Sequence, residues 1–165
     1  MEAVDQAEAL LADCPDDLKN SLAYVLLHGE TLSQAGSHPE AAAFYQNFME
    51  AYGWNEPIAT ALADTLETLG DLESARDQYA EIMNRCRSCH SRVDPLIKRR
   101  FADISFDLGQ HTSAIMEMYL SLAQGDSQNA PLYFQKISRI YTSMGNEEEA
   151  RRFRTFAQQA ENGKG

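Results

Sequence analysis

The chain has 165 residues, enough for one well-cored domain, with Lys+Arg 14 against Asp+Glu 25 and a formal net charge of −11. No apolar run approaches the roughly 20 residues of a membrane span and no basic-then-apolar leader opens the sequence, so a cytoplasmic protein without membrane insertion is the default expectation. So acidic a surface repels duplex nucleic acid.

The charge is unevenly spread. Before residue 85 sixteen acids face only Lys19 and Arg76, a balance of −14; from Arg85 onward twelve basic residues outnumber nine acids, a balance of +3. A polarised surface suits a partner at one end, although acids also serve solubility alone. Three cysteines are too few and odd in number for a disulfide framework. Only three valines occur, Ala, Leu, Glu and Gln abound, and no period-two alternation is sustained, which predicts an all-α fold.

In chain order, the segment EAVDQAEALLADCP within residues 1–21 reads as a helix ending at Pro15. Its Glu2-Ala3 pair matches Glu40-Ala41 and Glu149-Ala150, the starts of later helices, so the chain is expected either to be a piece of a longer array or to use this half-repeat as a cap. Four two-part segments follow. Each turns at a glycine, Gly36, Gly70, Gly109 and Gly145, at spacings of 34, 39 and 36. Seven residues before each glycine stands a small residue (Gly29, Ala63, Ala102, Ser138), and five after it an alanine (Ala41, Ala75, Ala114, Ala150). Close-packed helices need small residues at their crossing and a glycine to reverse the chain between them, so the pattern predicts one helical hairpin written four times.

This pattern resembles the tetratricopeptide repeat (TPR) family over about residues 22 to 164. The copies around Gly36 and Gly70 carry Tyr45 and Tyr79 at the family's aromatic position in the second helix; Met118 and Arg154 stand there in the last two, which depart from the pattern. The resemblance implies a right-handed α-solenoid of about four hairpins (22–55, 56–89, 95–128 and 131–164, with an insertion at 90–94) preceded by an extra helix. It also implies a concave, peptide-binding face lined by the first helices. Carried over position by position, that face comprises Leu26, Glu30 and Ser33; Thr60, Asp64 and Glu67; Arg99, Asp103 and Phe106; and Gln135, Arg139 and Thr142. The subfamily that clamps a C-terminal carboxylate has Lys and Asn where this chain has Leu26 and Glu30, so that clamp is missing. Acids at Glu30, Asp64, Glu67 and Asp103 would instead form a negative strip for a basic peptide; alternatively Asp103 pairs with Arg99 and the others are solvated. Phe106 and Tyr24 are expected in the core, with stacking on a bound peptide as the alternative. The last helix, with Arg151, Arg152 and Arg154, reads as a polar cap or a basic patch, its charge offset by Glu147, Glu148 and Glu149.

Cys86-Arg87-Ser88-Cys89-His90 stands outside the repeat pattern. Thiols at i and i+3 followed by histidine are the attachment motif of c-type haem, and equally three ligands of a zinc site. Haem would imply a periplasmic location and a second axial ligand such as His111, His38, Met83 or Met118. Zinc lacks an obvious fourth ligand, with His111, Cys14 or another copy of the chain as candidates. A thiol redox pair, or a surface loop with two ordinary thiols and no cofactor, completes the alternatives, and no cofactor is the working expectation. Cys14, His28 and His38 read as structural. The run Lys98-Arg99-Arg100 is too short for a nucleic-acid arm. Without a phosphate loop, a nucleophile elbow or a convergent carboxylate pair, no catalytic residues are expected. The sequence therefore points to a non-enzymatic adaptor that docks part of another protein. A cofactor carrier using Cys86, Cys89 and His90 and a head-to-tail homo-oligomer are the alternatives.

Overall fold

The computed structural model describes residues 7, 9, 11–15, 17–88 and 93–163, the side chain of Arg87 excepted. All regular structure among them is helical. Eight helices follow the N-terminal turns: α1 Leu22–Gln34, α2 His38–Tyr52, α3 Glu56–Leu69, α4 Leu72–Ser88, α5 Pro95–Asp107, α6 Ser113–Gly125, α7 Ala130–Ser143 and α8 Glu147–Asn162. They fall into two compact units that divide between His90 and Ser91, each holding two antiparallel hairpins.

The helix starts are written into the sequence. Four of the five prolines, Pro39, Pro57, Pro95 and Pro131, sit in the first turn of α2, α3, α5 and α7, where a missing N–H costs nothing. Ser21, Asn55, Asp71, Asp94, Thr112 and Asn146 each accept a hydrogen bond from a backbone N–H two or three residues on, at 2.8 to 3.4 Å.

All four hairpin turns end the first helix in the same way. The glycine is left-handed, with φ of 84°, 87°, 74° and 76° at Gly36, Gly70, Gly109 and Gly145. The next residue's N–H returns to the carbonyl five back: Ser37 to Leu32, Asp71 to Leu66, Gln110 to Ser105 and Asn146 to Tyr141, each at 2.9 to 3.0 Å. This is the Schellman arrangement, which consumes two carbonyls that the helix end leaves without partners.

In the first unit each helix packs on the next, and α1 also packs on α3, so the first helices of adjacent hairpins lie side by side. Val25, Ile58, Leu62, Tyr79 and Ile82 are at most 1% exposed at its core. Ala7, Ala9, Leu11 and Ala12 are helical ahead of it, and Leu11 is buried. The small residues do what their spacing predicts. Tyr45 lies so close over Gly29 that a Cβ there would fall 2.2 Å from the ring's Cζ, and Ala63 and Ala75 are wholly enclosed.

The second unit is built around Ala102, Ile115, Tyr119, Tyr133, Ile137, Ile140 and Phe153. Here one expectation is corrected. Ala114 is exposed and Met118 only half-buried, whereas Ile115 and Tyr119 are buried. The third turn runs from Gly109 through Gln110 and His111 to the cap Thr112, two residues longer than its counterparts, and the buried positions of α6 fall one residue later. Tyr119, not Met118, therefore fills the place held by Tyr45 and Tyr79. The departure expected at Arg154 stands: that side chain is exposed and reaches Glu147 at 3.4 Å.

Candidate functional site

Three places gather chemistry-bearing side chains. The first is a furrow of about 370 Å³ in the first unit, lined by Leu26, Glu30 and Ser33 of α1, His38 and Tyr45 of α2, and Ala61, Asp64, Thr65 and Thr68 of α3. Of the positions expected on the concave face, Leu26, Glu30, Ser33 and Asp64 come together here, while Thr60 and Glu67 lie outside the lining. Glu30 and Asp64 are exposed and, among the described residues, in no ion pair. Asp64 instead accepts a short hydrogen bond from the Tyr79 hydroxyl, which also reaches Glu67 at 3.3 Å; Glu30 accepts from the Gln34 amide at 3.1 Å. The Tyr45 hydroxyl donates to the Leu26 carbonyl at 3.3 Å. Burial and then the charge of Glu30 push the Tyr45 phenol up to about 12, so it stays neutral beside the acids. The furrow floor also holds a shielded polar atom, His38 Nδ1, with no partner among the described residues.

The second place, in the second unit, pairs Asp103 with Arg99, the alternative to its share in a negative strip. Asp103 is a hub: Lys136 Nζ lies 2.6 Å from its Oδ1, Arg99 Nε 3.5 Å from its Oδ2, and the Tyr119 hydroxyl donates to it at 2.9 Å. Its charge is spent on two cations. Phe106, expected in the core, is half-buried, 6.4 Å from Tyr119 and 5.0 Å from His111 between ring centroids, with Lys136 Nζ 5.2 Å above it. Tyr119 and Tyr133 stack at 5.9 Å, and Arg99 lies 5.9 Å over Tyr133. Burial first, then Asp103, raises the Tyr119 phenol far above its ordinary range. Arg139 is exposed on α7, and Gln135 donates to Glu161 at 3.1 Å. Nothing local in the sequence announced Lys136, because its partner stands 33 residues away.

The third place is the Cys86 segment. Cys86 lies within α4 and is 5% exposed, not in a surface loop. Its Sγ is 3.8 Å from Glu56 Oε2, on the first turn of α3. Cys89 and His90 lie outside the described residues. Among the described residues no three His, Cys, Asp or Glu side chains gather as a metal set. Of the suggested further ligands, His111 shares a 2.8 Å hydrogen bond with Ser143 through its Nδ1; His28, read as structural, stacks on Tyr24 at 5.6 Å. The arginines of α8 serve their own helix, Arg152 reaching Glu149 at 3.4 Å and Arg151 Nε the Glu147 carbonyl at 3.2 Å, as a polar cap requires. No described helix is long and apolar enough to cross a membrane.

Small residues at the crossings, left-handed glycine corners and tyrosines closing the first three hairpins make this the tetratricopeptide fold. Solved structures agree. The crystal structure of MamA matches with a TM-score of 0.71 at 17% identity, over 98% of this chain and 88% of that one, and a second MamA structure with 0.73 at 18%, over 98% and 92%. YrrB, described as a TPR protein with an unusual peptide-binding site, matches with 0.71 at 15%, over 96% of this chain and 80% of that one. No family model and no curated protein sequence matches.

Proposed function

We propose that this chain is a non-enzymatic interaction module whose first unit holds a Lys- or Arg-bearing segment of another protein in the furrow between α1 and α3. The observation that carries this reading is the convergence of Glu30 and Asp64, two exposed carboxylates without a cation among the described residues, on one cleft whose remaining wall includes Leu26, Ala61 and Tyr45. Such a cleft offers charge to an ammonium or guanidinium and apolar surface to its methylene stem. The acidic balance of the chain before residue 85 adds long-range attraction, which raises the association rate at low salt. That YrrB has a peptide-binding site on the same fold supports the reading by analogy.

The test is a titration of basic peptides against the full chain at two salt concentrations, repeated with Glu30, Asp64 and Glu67 changed to lysine. Binding that weakens with salt and disappears in the charge-reversed chain is expected. No binding at either salt concentration, or binding indifferent to the reversal, overturns the proposal.

A further inference from the structure

Building on the furrow between α1 and α3 as the seat of a basic segment, we propose that it selects arginine over lysine as the residue it holds. Its polar lining offers hydrogen-bond acceptors and scarcely a donor. The hydroxyls of Thr65, Thr68 and Tyr45 lie 2.7, 2.9 and 3.3 Å from the carbonyl oxygens of Ala61, Asp64 and Leu26. A carbonyl cannot donate, so each of these hydroxyls has committed its only proton and meets a ligand through its oxygen alone. The two carboxylates are acceptors by nature. Each has one oxygen engaged, Asp64 Oδ1 by the Tyr79 hydroxyl and Glu30 Oε1 by the Gln34 amide, and each keeps its second oxygen without a partner among the described residues. His38 Nδ1, shielded and likewise without a partner there, is a further acceptor when the imidazole carries its proton on Nε2. Ser33 is the one hydroxyl of the lining whose proton has no acceptor among the described residues.

These acceptors stand on two helices, Glu30 on α1 and Asp64, Thr65 and Thr68 on α3, so they call for a ligand whose donors are many and spread in space. A guanidinium carries five N–H donors on a rigid planar fork, and its delocalised charge is weakly hydrated. An ammonium carries three on one compact nitrogen that holds its water tightly. The guanidinium is thus built to donate on both helices at once and leaves water at less cost. A ligand that covered these acceptors without pairing them would forfeit the bonds they make to water, and this penalises the poorer donor. Leu26 and Ala61 cover a methylene stem in either case, so the choice is made at the head group.

The experiment titrates the full chain, followed by NMR chemical shifts, with end-blocked peptides of Gly and Ser that differ only in one central residue, Arg or Lys. The arginine peptide is expected to bind at least about tenfold more tightly at the same salt concentration. Thr68 is exposed, so Thr68→Val should fold, and it should weaken the arginine peptide several-fold while leaving the lysine peptide unchanged. Equal affinities, or a preference for lysine, overturn the selection of arginine; if both peptides are then lost on charge reversal of Glu30 and Asp64, the seat for a basic segment stands without it. An arginine advantage undiminished in Thr68→Val also overturns the selection. If neither peptide binds, the seat and the selection fall together.

Discussion

Lys136 on α7 and Asp103 on α5 meet at 2.6 Å, with the ammonium poised over the rings of Phe106 and Tyr119 at 5.2 and 5.4 Å. Both side chains are 27% exposed, so the pair is neither a screened surface contact nor a fully desolvated one. Removing the carboxylate alone leaves a half-buried cation beside Arg99. Asp103→Ala is therefore expected to cost about 2 kcal/mol and Lys136→Met about 1 kcal/mol, since the methionine still covers the two rings. Urea unfolding of both single variants and the double variant should return a coupling of about 1 kcal/mol; additive losses would show that the two residues act separately.

Gly29→Ala tests the seam between α1 and α2. Helix propensity favours alanine by about 1 kcal/mol at such a position. The new Cβ would lie 2.2 Å from a tyrosine ring that is 2% exposed and has nowhere to go, and overpacking of that kind costs about 1 to 3 kcal/mol. A net loss of about 1 kcal/mol in thermal or urea unfolding is expected, partly recovered when Tyr45→Leu is added. A stabilised single variant would mean that the seam is looser than described.

At Gly70 the obstacle is the backbone. Its φ of 87° is left-handed and no atom lies within 4 Å of where a Cβ would stand, so Gly70→Ala isolates conformational strain from crowding. About 1 kcal/mol should be lost, and Gly70→Asn should lose less because asparagine tolerates this region.

Alkaline pH should weaken the fold. Tyr45 has its proton affinity raised from 10.0 to about 12 in the native chain, and Tyr119 and Tyr133 shift in the same direction. A raised native pKa means that the folded state holds the proton more tightly. The associated stability is complete below the unfolded value near pH 10 and is lost as pH climbs toward 12. Urea midpoints should fall over that interval. Tyrosinate absorbance should rise together with the loss of helical dichroism, with a smaller fall in Tyr45→Phe.

The hairpins were legible because their signals are local: a glycine that must turn left, a small residue two helical turns before it, a proline or capping side chain just after. Even Arg154 could be recognised as a departure. Met118 could not be corrected to Tyr119 from sequence, because aligning on Gly109 hides the longer turn that follows it. The site was legible in part. Leu26, Glu30 and Asp64 share a furrow, as positions carried over from the family implied, but His38, Thr65 and Thr68 complete its lining from positions that no motif marks. Asp103 pairs with Arg99, as one of its two readings had it, but Lys136 was missed beside it for the same reason that Glu56 was missed beside Cys86: the neighbour lies about 30 residues off, on a helix whose rotation only packing fixes.

Within each unit the helices pack chiefly against their immediate neighbours in the chain. Such nearest-neighbour bonding needs no distant stretch of chain to arrive before a corner can close, so assembly can advance vectorially during translation, each hairpin seated while the next is still inside the ribosome. A stalled or shortened product that ends after α4 would then leave the exit tunnel with its furrow already built.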